Sequence, residues 1–321
     1  MLPRASHFTF ATINLQNFLA PPEAFYSPDN IYSCEAWLAK KRWLKQQLHR
    51  LSADIVGFQE VFSADELHHL VSECGYSHFC CLSQPTISDG YLYSDPVLAL
   101  ASRFAINECE LLDTCNAQPC PDEFRFSRQP LHTTIKLPGI GLCDFYVVHL
   151  KSQRPTDLEL VPCHEDVDDW ISDLTGSWIS TVQRGYEALF IQQHIIANRL
   201  QHKRPFMLMG DFNQSLNSIE LAPFRSPPVA TYEGLSYKMF DSWELYNCQG
   251  CLTRPATHYH KNREMIIDYI LVSDEFNPQS AHCLLEIEQY LTLDKHLVEP
   301  DFDYDGYASD HAVIAIRTKL R

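Results

Sequence analysis

Short apolar runs that end in polar residues recur along the chain. Residues 8 to 13 alternate apolar and polar side chains and lead to Asn14, whereas residues 54 to 58 form a nearly continuous apolar run that leads to Glu60. Alternation is typical of a strand with one buried face, and a short continuous run is typical of a strand covered on both faces. The same criteria predict further strands at residues 97 to 101, 131 to 137, 142 to 150, 206 to 209, 264 to 272 and 312 to 316.

Helical periodicity separates these strands. Residues 34 to 51 and 178 to 200 each place apolar side chains on one face at intervals of three and four, with charged residues between them. Such stripes predict amphipathic helices that cover a sheet. Residues 155 to 177 are polar and acidic without a convincing period, which predicts a mobile loop insertion. Strands that alternate with helices indicate an α/β fold.

Composition narrows the class of protein. The 321 residues are 45% hydrophobic and carry a formal charge of −16, so one large α/β domain or two ordinary domains can form. The negative charge argues against nucleic-acid binding through a broad basic surface, but not against a local basic groove or bound metal ions. Neither a secretory signal nor a membrane span is recognisable, so a cytoplasmic protein is expected. Cys80 and Cys143 lie in apolar surroundings that suit reduced thiols.

Asp211 and Asn213 follow the apolar run at residues 206 to 209, after Gly210, which allows a tight turn. If the chain stays extended, both side chains lie on one face. A carboxylate can accept a proton from an attacking water, and an amide can donate to a phosphate oxygen. The alternative is an Asp-x-Asn turn that merely ends a core strand.

Three further residues are candidates because of where they lie. His149 stands near the end of an apolar strand, where a hydrogen-bonded core histidine and a functional one are alternatives. Asp268 is predicted in the middle of a strand, and a buried carboxylate needs a cationic or donor partner. His311, which precedes the last strand, is a candidate for that partner.

Six short motifs give the chain a resemblance to the endonuclease/exonuclease/phosphatase superfamily, which includes pancreatic-type deoxyribonucleases, sphingomyelinases and inositol-polyphosphate 5-phosphatases. They occur in the family's order and are Thr12-Ile13-Asn14, Gln59-Glu60-Val61, Val148-His149-Leu150-Lys151-Ser152, Gly210-Asp211-Phe212-Asn213, Ile267-Asp268-Tyr269-Ile270 and Ser309-Asp310-His311. Phe126-Ser127-Arg128-Gln129-Pro130 is similar to a deoxyribonuclease segment that holds an arginine near the substrate phosphate. The resemblance implies a four-layer α/β sandwich of two packed mixed sheets flanked by helices, with one domain over residues 1 to 321.

The resemblance also implies a role for each motif residue. Glu60 would be the principal Mg²⁺ ligand, supported by Asn14 and Asp310, and Mn²⁺ is an alternative ion. Asp211 would activate water, while Asn213 and Arg128 would bind the phosphate. His311, oriented by Asp268, would act as base or electrostatic stabiliser, and His149 would act on the leaving-group side. Gln16 stands where some members have an acid, which puts a second metal site in doubt.

These features predict a metal-dependent hydrolase of a phosphodiester, with a nuclease as the leading hypothesis. The alternatives are a phosphatase or lipid phosphodiesterase acting on a phosphoinositide, sphingomyelin or nucleotide, and a non-catalytic binding module of the same fold. Substrate identity, endo- or exonucleolytic action, the number of metals and the oligomeric state stay open.

Overall fold

The computed structural model describes residues 7–113, 124–158, 165–225, 236–261 and 263–321. The strands are β1 His7–Phe18, β2 Ala24–Phe25, β3 Ile55–Val61, β4 His78–Cys80, β5 Thr86–Ser88, β6 Leu92–Ser94, β7 Val97–Ser102, β8 Ile106–Leu111, β9 Leu131–Leu137, β10 Gly141–His149, β11 Phe206–Asp211, β12 Phe240–Asp241, β13 His258–His260, β14 Arg263–Met265, β15 Asp268–Val272, β16 Leu285–Leu293 and β17 Val313–Leu320. The α-helices are α1 Cys34–Leu51, α2 Ala64–Glu73, α3 Glu165–His202, α4 Ala222–Arg225, α5 Ser242–Tyr246, α6 Lys295–Val298 and α7 Phe302–Asp305.

Two mixed six-stranded sheets form the centre of the molecule. The first has the order β16-β17-β1-β3-β7-β4 and the second the order β12-β15-β11-β10-β9-β8. Each contains one parallel pair, β1 with β3 and β10 with β11, and its other pairs are antiparallel. The two parallel pairs occupy the middle of their sheets, where both faces are covered.

Three layers of apolar side chains hold four layers of structure together. Phe10, Val147 and Met209 belong to the cluster between the sheets, which contains residues of both. Trp37 packs α1 onto the outside of the first sheet, and Ile191 packs α3 onto the outside of the second. The predicted four-layer α/β sandwich is therefore confirmed. That residues 1 to 321 form one domain stays a prediction.

The prediction of a loop over residues 155 to 177 is wrong for its second half, because α3 begins at Glu165. Residues 159 to 164 lie outside the described part of the chain. Trp170, Leu174 and Trp178 recur every four residues, which is helical spacing, but they are exposed and so gave no buried stripe to detect. No helix in the described ranges is both long and apolar enough to cross a membrane.

Cys80 is not the reduced thiol that its surroundings suggested. It forms a disulfide with Cys109, while Cys143 is free and buried. Cys80 belongs to β4 at the edge of the first sheet, and Cys109 belongs to β8 at the edge of the second. The bond therefore joins two sheet edges whose proximity depends on the whole fold, which no local pattern reveals.

Gly210 allows an unusually close approach between β10 and β11. It lies opposite Val148 within β11, and strand geometry continues through Asp211, so it does not end the strand as the sequence suggested. Its φ is +146°, and a Cβ there would lie 1.9 Å from the Val148 carbonyl oxygen. Only glycine fits this register, which also sets Asp211 opposite His149.

We expect Gly210→Ala to lower the free energy of unfolding by about 3 kcal/mol or more, because backbone atoms would have to move. Gly185→Ala is the matched control: its Cβ would meet ordinary contacts at 3.6 Å within α3, so the variant should be about 0.5–1 kcal/mol more stable. Denaturant unfolding of both variants measures this. Equal stabilities for the two variants would contradict the proposed strand register.

Candidate active site

The ends of the two parallel pairs carry four of the predicted residues. β1 and β3 run in the same direction and bring Asn14 opposite Gln59, one residue before Glu60. β10 and β11 bring His149 opposite Asp211 in the same way. Parallel strands end at the same edge of a sheet, so these side chains meet where the two sheets face each other.

Antiparallel neighbours supply the other two central residues, one from the first position of its strand and one from just before its strand. Asp268 opens β15 and lies opposite Asp211, which ends β11. It is the first residue of that strand, not its middle as predicted, because the backbone N–H groups of Ile267 and Asp268 both donate to Thr257 Oγ1. His311 precedes β17, the antiparallel neighbour of β1.

Asp211 lies at the centre of the site, in contact with the other central residues, and is 1% exposed. Its Oδ2 accepts from Asn14 Nδ2 at 3.1 Å and lies 3.4 Å from His149 Nε2 and 3.8 Å from His311 Nε2. Its Oδ1 accepts from the Asn213 backbone N–H at 2.8 Å. Burial raises the pKa of Asp211 to about 7, against the opposing effect of His311 and with a further contribution from Asp268. Asp211 is thus able to take and release a proton near neutral pH.

His311 is held by Asp268. The distance from His311 Nδ1 to Asp268 Oδ2 is 2.9 Å, which confirms the predicted hydrogen bond. Burial alone would lower the pKa of His311, but the carboxylates of Asp268 and Asp211 prevail and raise it well above its usual value. His311 therefore carries a positive charge at neutral pH.

His149 is in a different electrostatic environment from His311, although both rings lie beside the Asp211 carboxylate. It is 3% exposed, and burial, Arg128 and His311 together hold its pKa well below the usual value. Its buried Nδ1 has no hydrogen-bond partner among the described residues. His149 is therefore neutral at pH 7 and can donate one proton, from Nε2, towards Asp211.

Asn213 reaches the site through a turn. Its φ is +54° and its backbone N–H bonds to the Asp211 side chain, so the extended geometry considered for Asp211 and Asn213 is wrong. Asparagine tolerates the left-handed region, and an Asp side chain readily closes such a turn. The Asn213 side-chain amide donates to the Leu150 carbonyl at 2.9 Å, so it lies beside the end of β10.

The residues expected to bind metal lie on one side of Asp211. Glu60 Oε1 accepts from Asn14 Nδ2 at 3.2 Å and Oε2 accepts from the Asn17 N–H at 2.9 Å. Asn14 Oδ1 accepts from the Gln16 N–H at 2.9 Å, so the amide faces both carboxylates with its nitrogen. Asp310 is more open: its side chain is 47% exposed, and Oδ1 lies 3.9 Å from His311 Nε2.

Arg128 lies near the end of β10. Its Nη1 is 3.5 Å from the Leu150 carbonyl oxygen. Burial lowers the pKa of both His149 and Lys151, and the charge of Arg128 lowers them further. A cavity of about 630 Å³ opens beside it, and Lys151, Trp178 and Tyr186 contribute to its walls. The site therefore has an acidic side at Glu60 and a basic side at Arg128.

Three residues near the acidic side, which are Lys40, Tyr32 and His258, were not predicted from the sequence. Burial lowers the pKa of Lys40 to about 8 against the opposing charges of Glu60 and Asp310. Its Nζ lies 5.5 Å from the centre of the Tyr32 ring. Lys40 falls on the same helical face as Trp37 and Leu44, and a lysine on an apolar stripe was the available signal. The third, His258, stacks on His311 with ring centres 4.6 Å apart, and only the fold brings these two together.

Comparisons with known proteins agree with the family resemblance and with the fold. The model of the Endonuclease/Exonuclease/phosphatase family matches residues 11–311. The fold is similar to that of the human Nocturnin catalytic domain with bound sulfate (TM-score 0.62, 17% identity, 98% of this chain and 95% of that one). It is also similar to D. rerio TDP2 complexed with a single-strand DNA product (TM-score 0.58, 15% identity, 98% and 99% covered). A family protein from Beutenbergia cavernae gives a TM-score of 0.58 at 16% identity, with 98% and 72% covered. No curated protein sequence matches the chain.

We expect Asp268→Asn to lower the pKa of His311 by roughly one to three pH units, because a neutral amide no longer stabilises the imidazolium. NMR titration of the His311 ring measures the change. Asp310→Asn is the control, since that carboxylate is exposed and 3.9 Å away, and it should shift the midpoint much less. Identical midpoints in wild type and Asp268→Asn would show that the hydrogen bond does not control the titration.

Proposed function

The chain belongs to the endonuclease/exonuclease/phosphatase family, and we propose on that premise that it is a divalent-metal-dependent hydrolase of phosphodiesters, with nucleic acid as its first substrate class. One observation carries the proposal. Asp211, with a pKa of about 7, is buried between a neutral and a positively charged histidine at the meeting edge of two sheets. A base matched to neutral pH beside a fixed positive charge is what attack of water on a phosphate requires.

In the proposed reaction, Asp211 accepts a proton from the attacking water while the water oxygen forms a bond to phosphorus. The bond between phosphorus and the leaving oxygen breaks, and that oxygen takes up a proton from solvent water. The imidazolium of His311 stabilises the negative charge that builds on the phosphoryl oxygens, and Asp268 keeps its Nδ1 proton in place. His149 donates from Nε2 and helps to orient Asp211. Its lowered pKa argues against the leaving-group proton donor that the family resemblance implies.

The side chains on the acidic side suit a hard cation. Glu60 and Asp310 offer carboxylate oxygens, and Asn14 Oδ1 retains a second lone pair beyond the one that accepts from Gln16. We propose that these residues hold Mg²⁺, or Mn²⁺ in its place. When bound, the cation polarises the phosphate and stabilises the leaving oxygen.

Substrate preference is proposed from the basic side. Arg128 and Lys151 share the wall of the 630 Å³ cavity with Trp178 and Tyr186. Cations that contact phosphates, next to rings on which bases stack, are the usual elements of single-stranded nucleic-acid binding. Arg128 and Lys151 form a local positive patch, which is compatible with a chain of net charge −16.

A lipid phosphodiesterase is the second candidate, and a different observation favours it. Trp170, Leu174 and Trp178 are 63%, 53% and 68% exposed along one stripe of α3 that reaches the cavity. Exposed apolar residues on a helix, with tryptophan among them, are typical of contact with a lipid interface. The net negative charge of the chain favours a zwitterionic headgroup over an anionic one.

A substrate panel with Mg²⁺ or Mn²⁺ separates the candidates. We expect hydrolysis of single- or double-stranded DNA or RNA to exceed hydrolysis of sphingomyelin vesicles, inositol phosphates and nucleotides. Preference for vesicles, reduced by Trp178→Ala, would instead support the lipid enzyme. If the protein hydrolyses none of these substrates and also fails to hydrolyse a simple chromogenic phosphodiester, it is a non-catalytic member of the family.

We expect Asp211→Asn and His311→Ala to lower kcat on a chromogenic phosphodiester by roughly 10²–10⁴-fold, with little change in KM, because both groups act on the transition state. In wild type, kcat should rise with pH through about 7, since Asp211 must lose its proton to act as a base. This rise should be absent from Asp211→Asn. His202→Ala, at an exposed position of α3, is the control.

His149→Ala distinguishes two roles for that residue. If His149 orients Asp211, kcat falls in protein that remains folded. Unchanged kcat with an earlier thermal transition would assign His149 to the core and contradict the proposed arrangement.

We expect Glu60→Gln to weaken Mg²⁺ binding, measured by calorimetry, by roughly a hundredfold or more. Loss of a hydrogen bond that supports a metal ligand typically lowers metal affinity by about 10–100-fold. Loss of the ligand's own charge should lower the affinity by at least as much. Glu66→Gln, an acid of α2 that pairs with Lys41, is the matched control and should bind as wild type does. Unchanged affinity in Glu60→Gln would move the metal site elsewhere.

A further inference from the structure

A second cluster of potential metal ligands lies outside the candidate active site. Glu110 on β8 and His132 on β9 are cross-strand partners, and His194 comes from α3, which covers this sheet. The cluster therefore lies on the outer face of the second sheet, with Tyr146 of β10 beside it. His149, three residues after Tyr146, belongs to the other face because side chains alternate along a strand.

The three donor atoms converge on one point. Glu110 Oε1 lies 2.8 Å from His132 Nδ1 and 3.9 Å from His194 Nε2, and one ligand atom from each of the three residues lies within 4.8 Å of the other two. Ligands bound tetrahedrally to Zn²⁺ at ~2.1 Å are separated from each other by about 3.4 Å. The separations of 2.8 and 3.9 Å each lie within about 0.6 Å of that value, and the third is no greater than 4.8 Å.

His132 is supported from behind in the way that a metal-bound histidine usually is. Its other ring nitrogen, Nε2, lies 3.2 Å from Asp144 Oδ1. Asp144 is itself fixed, since it accepts from Thr134 Oγ1 at 2.7 Å and from Asn198 Nδ2 at 3.0 Å. A carboxylate that accepts the Nε2 proton leaves the lone pair on Nδ1, which faces Glu110 and His194.

His194 provides an independent sign of a missing ligand. Its Nε2 is buried, and within the described residues it has no hydrogen-bond partner. Buried polar atoms are nearly always paired, because leaving one unpaired costs free energy. Glu110 Oε1 lies 3.9 Å away, which is too far for a direct hydrogen bond but suits two ligands that share a cation.

We propose that Glu110, His132 and His194 bind Zn²⁺. Two imidazoles and one carboxylate match the preference of Zn²⁺ for nitrogen and oxygen ligands, and the 59% exposure of the Glu110 side chain leaves a fourth position for water. Such an ion would fix the C-terminal third of α3 to β8, the edge strand of the second sheet. The alternative is that the His132 ring bridges Glu110 and Asp144 without metal.

Calorimetric titration with Zn²⁺ in excess Mg²⁺, which occupies sites that prefer oxygen ligands, tests the proposal. Wild type and the control His202→Ala should bind the same number of Zn²⁺ ions. His194→Ala and Glu110→Gln should bind one fewer with high affinity, or bind it more than ~100-fold more weakly, because a lost ligand should cost more than a lost supporting contact. Equal stoichiometry and affinity in all four proteins would overturn the proposal.

Thermal melts provide a second measurement and show whether the variants fold. Zn²⁺ should raise the Tm of wild type, since it binds the folded state, but should not raise that of folded His194→Ala through this site. A Zn²⁺-induced rise of equal size in both would contradict the assignment. With Mg²⁺ alone, His194→Ala should keep wild-type phosphodiesterase activity, so failure of the zinc site and failure of the proposed function are distinguishable.

Discussion

A buried carboxylate, Asp211, is the constraint on which the rest of the site depends. At 1% exposure its charge is costly, and the chain compensates with Asn14, the Asn213 backbone and two histidines within 3.8 Å. These partners come from different strands of both sheets. The two parallel strand pairs must therefore be stacked with their carboxyl ends together before Asp211 is stabilised, so the fold and the chemistry of the site have the same requirement.

The backbone around Asp211 is held in uncommon conformations. Gln16, Asn17, Glu60 and Asn213 all have positive φ between 49° and 60°, although none is glycine. Such residues cost about 1–3 kcal/mol each and persist only where their surroundings fix them. Here the β-bulges in β1 and β3 and the turn after β11 turn side chains towards the edge at which the sheets meet. The strain thus follows from bringing carboxylates and amides to one point from strands that would otherwise alternate away from it.

Prediction from sequence succeeded where the determinants are local. Helix α1 and strand β9 have the predicted bounds, because each has a clear period and clear ends. The pairing of Asp268 with His311 was also predictable, since a buried acid requires a partner. The Cys80–Cys109 bond and the approach of His258 to His311 were not, because sheet edges and loops distant in sequence create them. The first turns of α3 were missed because their apolar residues face outwards, and amphipathic patterns report burial rather than helicity.

The two histidines on Asp211 show why residue type and motif order do not assign roles. Both His149 and His311 are buried beside the same carboxylate, yet their pKa values move in opposite directions. The two rings differ in the charges that surround them. Asp268 is hydrogen-bonded to Nδ1 of His311, whereas the nearby charges that act on His149 are those of Arg128 and His311 itself. The charge on His311 therefore helps to keep His149 neutral. Burial is the largest cause of the low pKa of His149, and Asp268 adds to it indirectly by stabilising the charge on His311. A fixed cation and a neutral donor therefore lie within a single buried cluster.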